Sequence, residues 1–174
     1  MNAAVPLDLL CKTWHMAGRL GEDYHATDLL TDILGGNNSS RLYQQLVKEQ
    51  KLFVHLDCYH FGSSDPSLLT IEGKLVEGIS MEKAEQALQI EIDKICKEGP
   101  SEQELQKVKN KTESLIAFED MSVMSRASSL AYYELLGDAA WMNTELQQYA
   151  NVTTAQIKKV SNQLFRAENS NTLY

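Results

Sequence analysis

Two runs of alternating polarity with a turn between them constrain this chain more than any other feature. From Phe53 to Phe61, Val54, Leu56, Cys58 and His60 alternate with His55, Asp57, Tyr59 and Phe61. Further on, Leu69, Ile71, Gly73 and Leu75 alternate with Thr70, Glu72 and Lys74. A period of two sends successive side chains to opposite faces, so each run predicts a strand buried on one side only. Gly62-Ser63-Ser64-Asp65-Pro66 reads as a turn, which makes the two strands antiparallel partners. Such a pair must cover its apolar face with something else in the chain.

The cover is legible as helices. Asp23 opens a stripe of Ala26, Leu29, Leu30, Ile33 and Leu34, and Gly35-Gly36 is expected to stop it in the left-handed conformation. Asn37-Asn38-Ser39-Ser40 caps a short second helix with Leu42, Tyr43 and Leu46 inward. Ser80 caps a stripe of Met81, Ala84, Leu88, Ile92 and Ile95 that ends at Gly99-Pro100. Ser101 with Glu104, and Thr153 with Gln156, are capping boxes opening two more helices, the first with a break near Asp120. Leu130 to Leu136 is helical, and Ala139 to Tyr149 is expected to help cover the core. Leu7 to Ala17 reads as a strand covered on much of both faces, and Asn171 to Tyr174 begins another. The order β, α, α, β, β, several helices, β predicts an α+β fold, an antiparallel sheet with long helices packed on one face. With 174 residues, 43% of them hydrophobic, residues 1–174 read as a single domain with its own core.

Composition also excludes functions. A net charge of −8 argues against nucleic acid, whose binding is driven by clustered cations. No apolar run reaches the length of a membrane span, so no membrane-spanning helix is expected. The start lacks the layout of a signal peptide. Cys11, Cys58 and Cys96 are odd in number and form no CxxC, so free thiols are expected.

The densest group of chemically active residues is His55-Leu56-Asp57-Cys58-Tyr59-His60. On a strand, His55 and Asp57 share one face and Cys58 and His60 the other, so the four cannot converge on one ion. A sheet strand with a buried cysteine explains them better. Cys58 near His60 has no third group to orient the imidazole, and a structural cysteine is the simpler reading. Gly35-Gly36-Asn37-Asn38 lacks the lysine and spacing of a phosphate loop. Glu102, Glu104, Glu119 and Asp120 read as helix-surface or helix-end acids. His25 and Asp28 lie near one another on a helical face, where a local hydrogen bond is expected. Tyr132, Tyr133 and Trp141 read as core. No HxxEH, HExxH or defined carboxylate pair is present, so the residues alone predict no self-contained active site and no catalytic or metal-binding residue.

Two stretches carry a resemblance. Leu34-Gly35-Gly36-Asn37-Asn38-Ser39-Ser40-Arg41-Leu42-Tyr43-Gln44-Gln45-Leu46 resembles the LGGGxSSRLYxxL segment of the pitrilysin/insulinase-type zinc peptidases. Gly99-Pro100-Ser101-Glu102-Gln103-Glu104-Leu105-Gln106-Lys107-Val108-Lys109-Asn110 is similar to that family's G-x-[ST]-x-x-E-L-x-x-x-K-x helix start. The similarity extends from about Leu9 to Tyr174. It implies the half-domain fold of that family's metalloendopeptidases and, because the zinc motif is missing, the C-terminal, non-zinc type of domain. None of His15, His25, His55 and His60 has a histidine partner at the HxxEH spacing. The implied parent is a zinc-dependent endopeptidase, at least twice as long, that cleaves peptides or unfolded polypeptides. This chain would form chamber wall, hold no zinc and be inactive alone.

Family members often carry an Arg and a Tyr in a segment like LRExxGLAY, which bind the substrate main chain. Aligned on Leu46 and Leu52, those positions are Val47 and Val54, which can donate no hydrogen bond. The expected substrate-binding set of this chain is therefore empty. The implied partners are a peptide substrate, the N-terminal zinc domain and a second family chain supplying the Arg/Tyr pair. The alternative the resemblance leaves open is a noncatalytic assembly subunit of the same family.

Overall fold

The computed structural model describes residues 8–119 and 121–174, so Leu7 and Asp120 lie outside the described residues. Four strands, β1 (Leu9–Met16), β2 (Phe53–His60), β3 (Ser67–Leu75) and β4 (Ser170–Leu173), form one sheet in the order β2-β3-β1-β4. Every neighbouring pair is antiparallel. The helices are α1 (Tyr24–Leu34), α2 (Met81–Glu98), α3 (Glu102–Glu119), α4 (Val123–Leu136), α5 (Glu145–Asn151) and α6 (Thr154–Leu164). A π-helical segment runs from Tyr43 to Glu49, and 3-10 turns span Ala139–Thr144 and Ala167–Asn169.

The two faces of the sheet differ as the alternation demands. Leu10, Trp14, Leu56, Cys58, Leu69 and Ile71 are buried, while His55, Asp57, Tyr59 and Lys74 are exposed on the other side. Over the buried face lie α1 and α6, with α2 against α6 and with α3 and α5 against α1. Leu30, Leu34, Ile95 and Ile157 are completely inaccessible, each stabilising the fold by roughly 1.5–3 kcal/mol through removal from water. Lys12, also on the inner face, reaches Glu85 of α2 at 3.1 Å, tying sheet to helix layer.

Three local expectations change. Gly35 ends α1 at φ −145°, and neither it nor Gly36 is left-handed. Glycine is needed at Gly35 for close approach: a Cβ there would overlap the Cβ and backbone nitrogen of Cys58 on β2. Left-handed glycine does end α2, at Gly99 with φ 77°. Second, a β-bulge between Phe53 and His55 turns Phe53 inward and leaves Val54 exposed, while Leu56 and Cys58 keep their inward places. Third, Tyr132 and Trp141 are exposed and Tyr133 is half-buried, because α4 stands away from the core and buries only Leu136. The expected break after α3 is present: α3 stops at Glu119 and α4 starts at Val123. Both capping boxes form, Ser101 with Glu104 and Thr153 with Gln156. No helix among the described residues is long and apolar enough to cross a membrane.

Candidate functional site

His55, Asp57, Cys58 and His60 occupy opposite faces of β2. On the open face, His55 Nε2 donates to Asp57 Oδ2 at 2.7 Å, and both side chains are solvated. On the covered face, Cys58 is buried, and burial pushes its thiol well above the ordinary range, so it is a poor nucleophile. His60 turns to α1 and donates from Nε2 to Asp28 Oδ1 at 2.8 Å, while its Nδ1 is buried without a partner. Among the described residues no three His, Cys, Asp or Glu side chains are placed to hold a metal ion. A zinc ion requires three or four converging ligands, which these residues do not supply.

A larger polar cluster surrounds Arg19, which sits in the β1–α1 loop yet is buried. Its guanidinium lies 4.5 Å from the Tyr24 ring centre and donates to the Tyr133 hydroxyl at 3.1 Å and to Glu145 Oε1. His25 Nε2 is 3.2 Å from that same Glu145 oxygen and 3.3 Å from Arg19 Nη1. A guanidinium can only donate, so Nε2 either accepts from Arg19 or donates to Glu145. Asp28 is the second hub, accepting from His60 on one oxygen and from the Tyr149 hydroxyl on the other at 2.6 Å. The expected His25–Asp28 bond is replaced by these longer-range ones, since each side chain finds a partner on another element.

The electrostatics are those of a latch. Burial works to raise Glu145, but the His25 hydrogen bond and the Arg19 charge outweigh it, and its carboxyl falls below the usual range. Asp28 is likewise raised by burial but lowered by more through His60 and Tyr149. Burial, with the nearby Glu145 carboxylate adding to it, pushes the Tyr133 hydroxyl up to about 12. The carboxylates are thus held charged and the phenols protonated. The network joins α1, β2, α4 and α5 and contains no activated nucleophile. Beside it opens a cavity of about 430 Å³ lined by Arg19, Leu20, His25, Tyr133, Trp141 and Glu145.

A third arrangement joins the two stretches that carry the resemblance. Arg41 Nε and Nη2 donate to the two oxygens of Glu104 at 2.5 and 2.8 Å, and Nη2 also donates to the Gly99 carbonyl at 3.1 Å. That fork, helped by the Ser101 cap, holds the Glu104 carboxyl down to about 2. Glu104 is therefore more than a helix-end acid: it clamps α3 to the segment after α1. The Val47 side chain is half-buried against the core and Val54 lies exposed on the bulge, with Lys51 between them at φ 54°.

Compared with protein-family models, residues 3–112 match the peptidase M16 inactive domain. The chain belongs to that family. A search of curated proteins by sequence found no match. Among solved structures, the M16 inactive-domain chain is similar to a protease from Helicobacter pylori (TM-score 0.91, 21% identity), covering 98% of this chain and 41% of that one. It is also similar to the inactive peptidase domain of a proposed zinc protease from Bordetella parapertussis (TM-score 0.85, 19% identity; 95% and 90% covered). A chain of complex III2 from Candida albicans shares the fold too (TM-score 0.81, 14% identity; 98% and 43% covered). This M16 domain therefore spans about two fifths of the H. pylori and C. albicans chains that it matches. The α+β half-domain architecture is that of these neighbours.

The Arg19 cluster went unread in the sequence. Arg19 lies in Gly18-Arg19-Leu20-Gly21, a segment that reads only as the break ending the first strand, and its counter-charge lies 126 positions away. A lone arginine within a breaker segment is a faint signal, and nothing local points to Glu145.

Proposed function

We propose that the chain is the C-terminal-type, non-zinc domain of a zinc-dependent metalloendopeptidase acting on peptides or unfolded polypeptides. It supplies chamber wall, and the zinc and its activated water belong to an N-terminal domain of the parent polypeptide. The match of residues 3–112 to the peptidase M16 inactive domain carries this reading. Two features of the chain support it. The donor side chains on β2 diverge, and the positions resembling the family's Arg/Tyr pair are Val47 and Val54, which offer no hydrogen bond to a substrate main chain. A second family chain then supplies that pair.

The test is to read the native gene upstream of Met1, then assay both the full polypeptide and the 174-residue chain on an unstructured peptide. The expected result is an HxxEH motif upstream, chelator-sensitive cleavage by the full polypeptide, and none by the chain alone. Chelator-sensitive turnover by the isolated chain would overturn the reading. The likeness to a chain of complex III2 favours a second reading, a noncatalytic assembly subunit. An upstream half without HxxEH would select it.

A further inference from the structure

Between α3 and α5 the chain leaves the core. From Val123 to Thr144, through α4 and the 3-10 turn, Leu136 is the single buried side chain. The elements that follow are rooted differently: Tyr149 of α5 is buried and bonds Asp28, and α6 buries Ile157, Val160 and Leu164. Because α4 packs mainly on the 3-10 turn, the two form one unit. Two tyrosine hydroxyls tie that unit to the body. Tyr132 donates to the Gly62 carbonyl at 3.0 Å, and Tyr133 accepts from Arg19 Nη2 at 3.1 Å. The cavity beside the Arg19 cluster divides along the same seam. Tyr133, Leu136 and Trp141 make one wall, while Arg19, His25 and Glu145 belong to the body.

We propose that Val123–Thr144 is a lid over this cavity, opening as one unit while the sheet and the helices packed on it stay folded. Opening strands no charge. Arg19 keeps Glu145, His25 and the Tyr24 ring, all of them outside the lid, so no buried ion loses its partner. What is given up is the two hydroxyl ties and the cover over Leu136, a small loss beside that of unpacking a rooted helix. The ends of the unit permit the movement. On one side α3 stops at Glu119, ahead of Val123. On the other, Thr144 gives the start of α5 no side-chain cap, its hydroxyl donating instead to the Trp141 carbonyl at 3.0 Å. Once detached, a helix of 14 residues is marginal in water, so α4 melts as the lid opens. A segment with so few buried apolar contacts opens at a lower free energy than the fold as a whole.

Native-state amide hydrogen exchange of the 174-residue chain tests this, with intrinsic rates divided out. The hydrogen-bonded amides of α4 are expected to share one protection factor, at least about a hundredfold below that of α6. Tyr132→Phe with Tyr133→Phe keeps both rings and removes both hydroxyls. That double variant should speed exchange in α4 about tenfold and in α6 by less than about twofold. Protection in α4 equal to that in α6 would overturn the lid, because the segment would then open only with the whole fold. A gradient from fast helix ends to a middle as protected as α6 would overturn it too, as simple fraying. So would a double variant that speeds α4 and α6 alike, or leaves α4 unchanged.

Discussion

Arg41 and Glu104 stand 63 positions apart and meet as a fork on a carboxylate, the geometry in which guanidinium recognition is strongest. The pair is partly solvated, so Arg41→Ala should cost about 1–2 kcal/mol in urea unfolding, less than a dry pair would. The pH dependence follows from the carboxyl being held at about 2 against an ordinary 4.5. Because the folded value is depressed, the stabilisation is complete above about pH 4.5 and fades as pH falls toward 2. The difference in midpoint between wild type and Arg41→Ala should therefore shrink across that window. At the second cluster, Glu145→Gln leaves the Arg19 guanidinium buried with no counter-charge. The expected loss is about 3 kcal/mol, measured by the same unfolding, with faster amide exchange in α5 as the local sign of a released latch.

At the level of elements, α1 is the axis on which the site turns. Its Leu29, Leu30, Ile33 and Leu34 fill the core, its Asp28 and His25 hold β2 and α5, and its end at Gly35 presses against β2. Gly35→Ala tests that last contact. The added methyl has no conformational barrier at φ −145°, so any effect reports the collision with Cys58. A loss of about 1–3 kcal/mol is expected from overpacking, checked by thermal unfolding against Gly36→Ala, whose added methyl meets Asp32 within the same helix end. The strand pair and the capped helices were readable because each depends on residues within a few positions of one another. The bulge at Val54 was not. The alternation continues through it, and only the pairing of β2 with β3 shows that one residue has been set aside.

On the scale of the whole molecule, the buried polar residues set how the fold responds to acid. Asp28 and Glu145 both have depressed folded values, so each contributes stability that is full above the ordinary carboxylate range and lost as pH falls through their folded values. Acid should thus weaken the fold steadily below about pH 4, seen as a falling urea midpoint, with the Asp28→Asn and Glu145→Gln variants showing a flatter dependence. A flat wild-type profile would contradict the latch. The family and the layered α+β architecture were legible from Leu34–Leu46 and Gly99–Asn110 together with the polarity pattern, since helix caps, stripes and alternation are short-range chemistry written in the order of residues. What only the tertiary structure decided is which distant charges share a site, that Glu104 serves as a clamp, and that Met124, Tyr132 and Leu135 of α4 face outward. Periodicity states that a helix has an apolar side; it cannot state whether this chain or another domain covers it, because burial depends on what packs there.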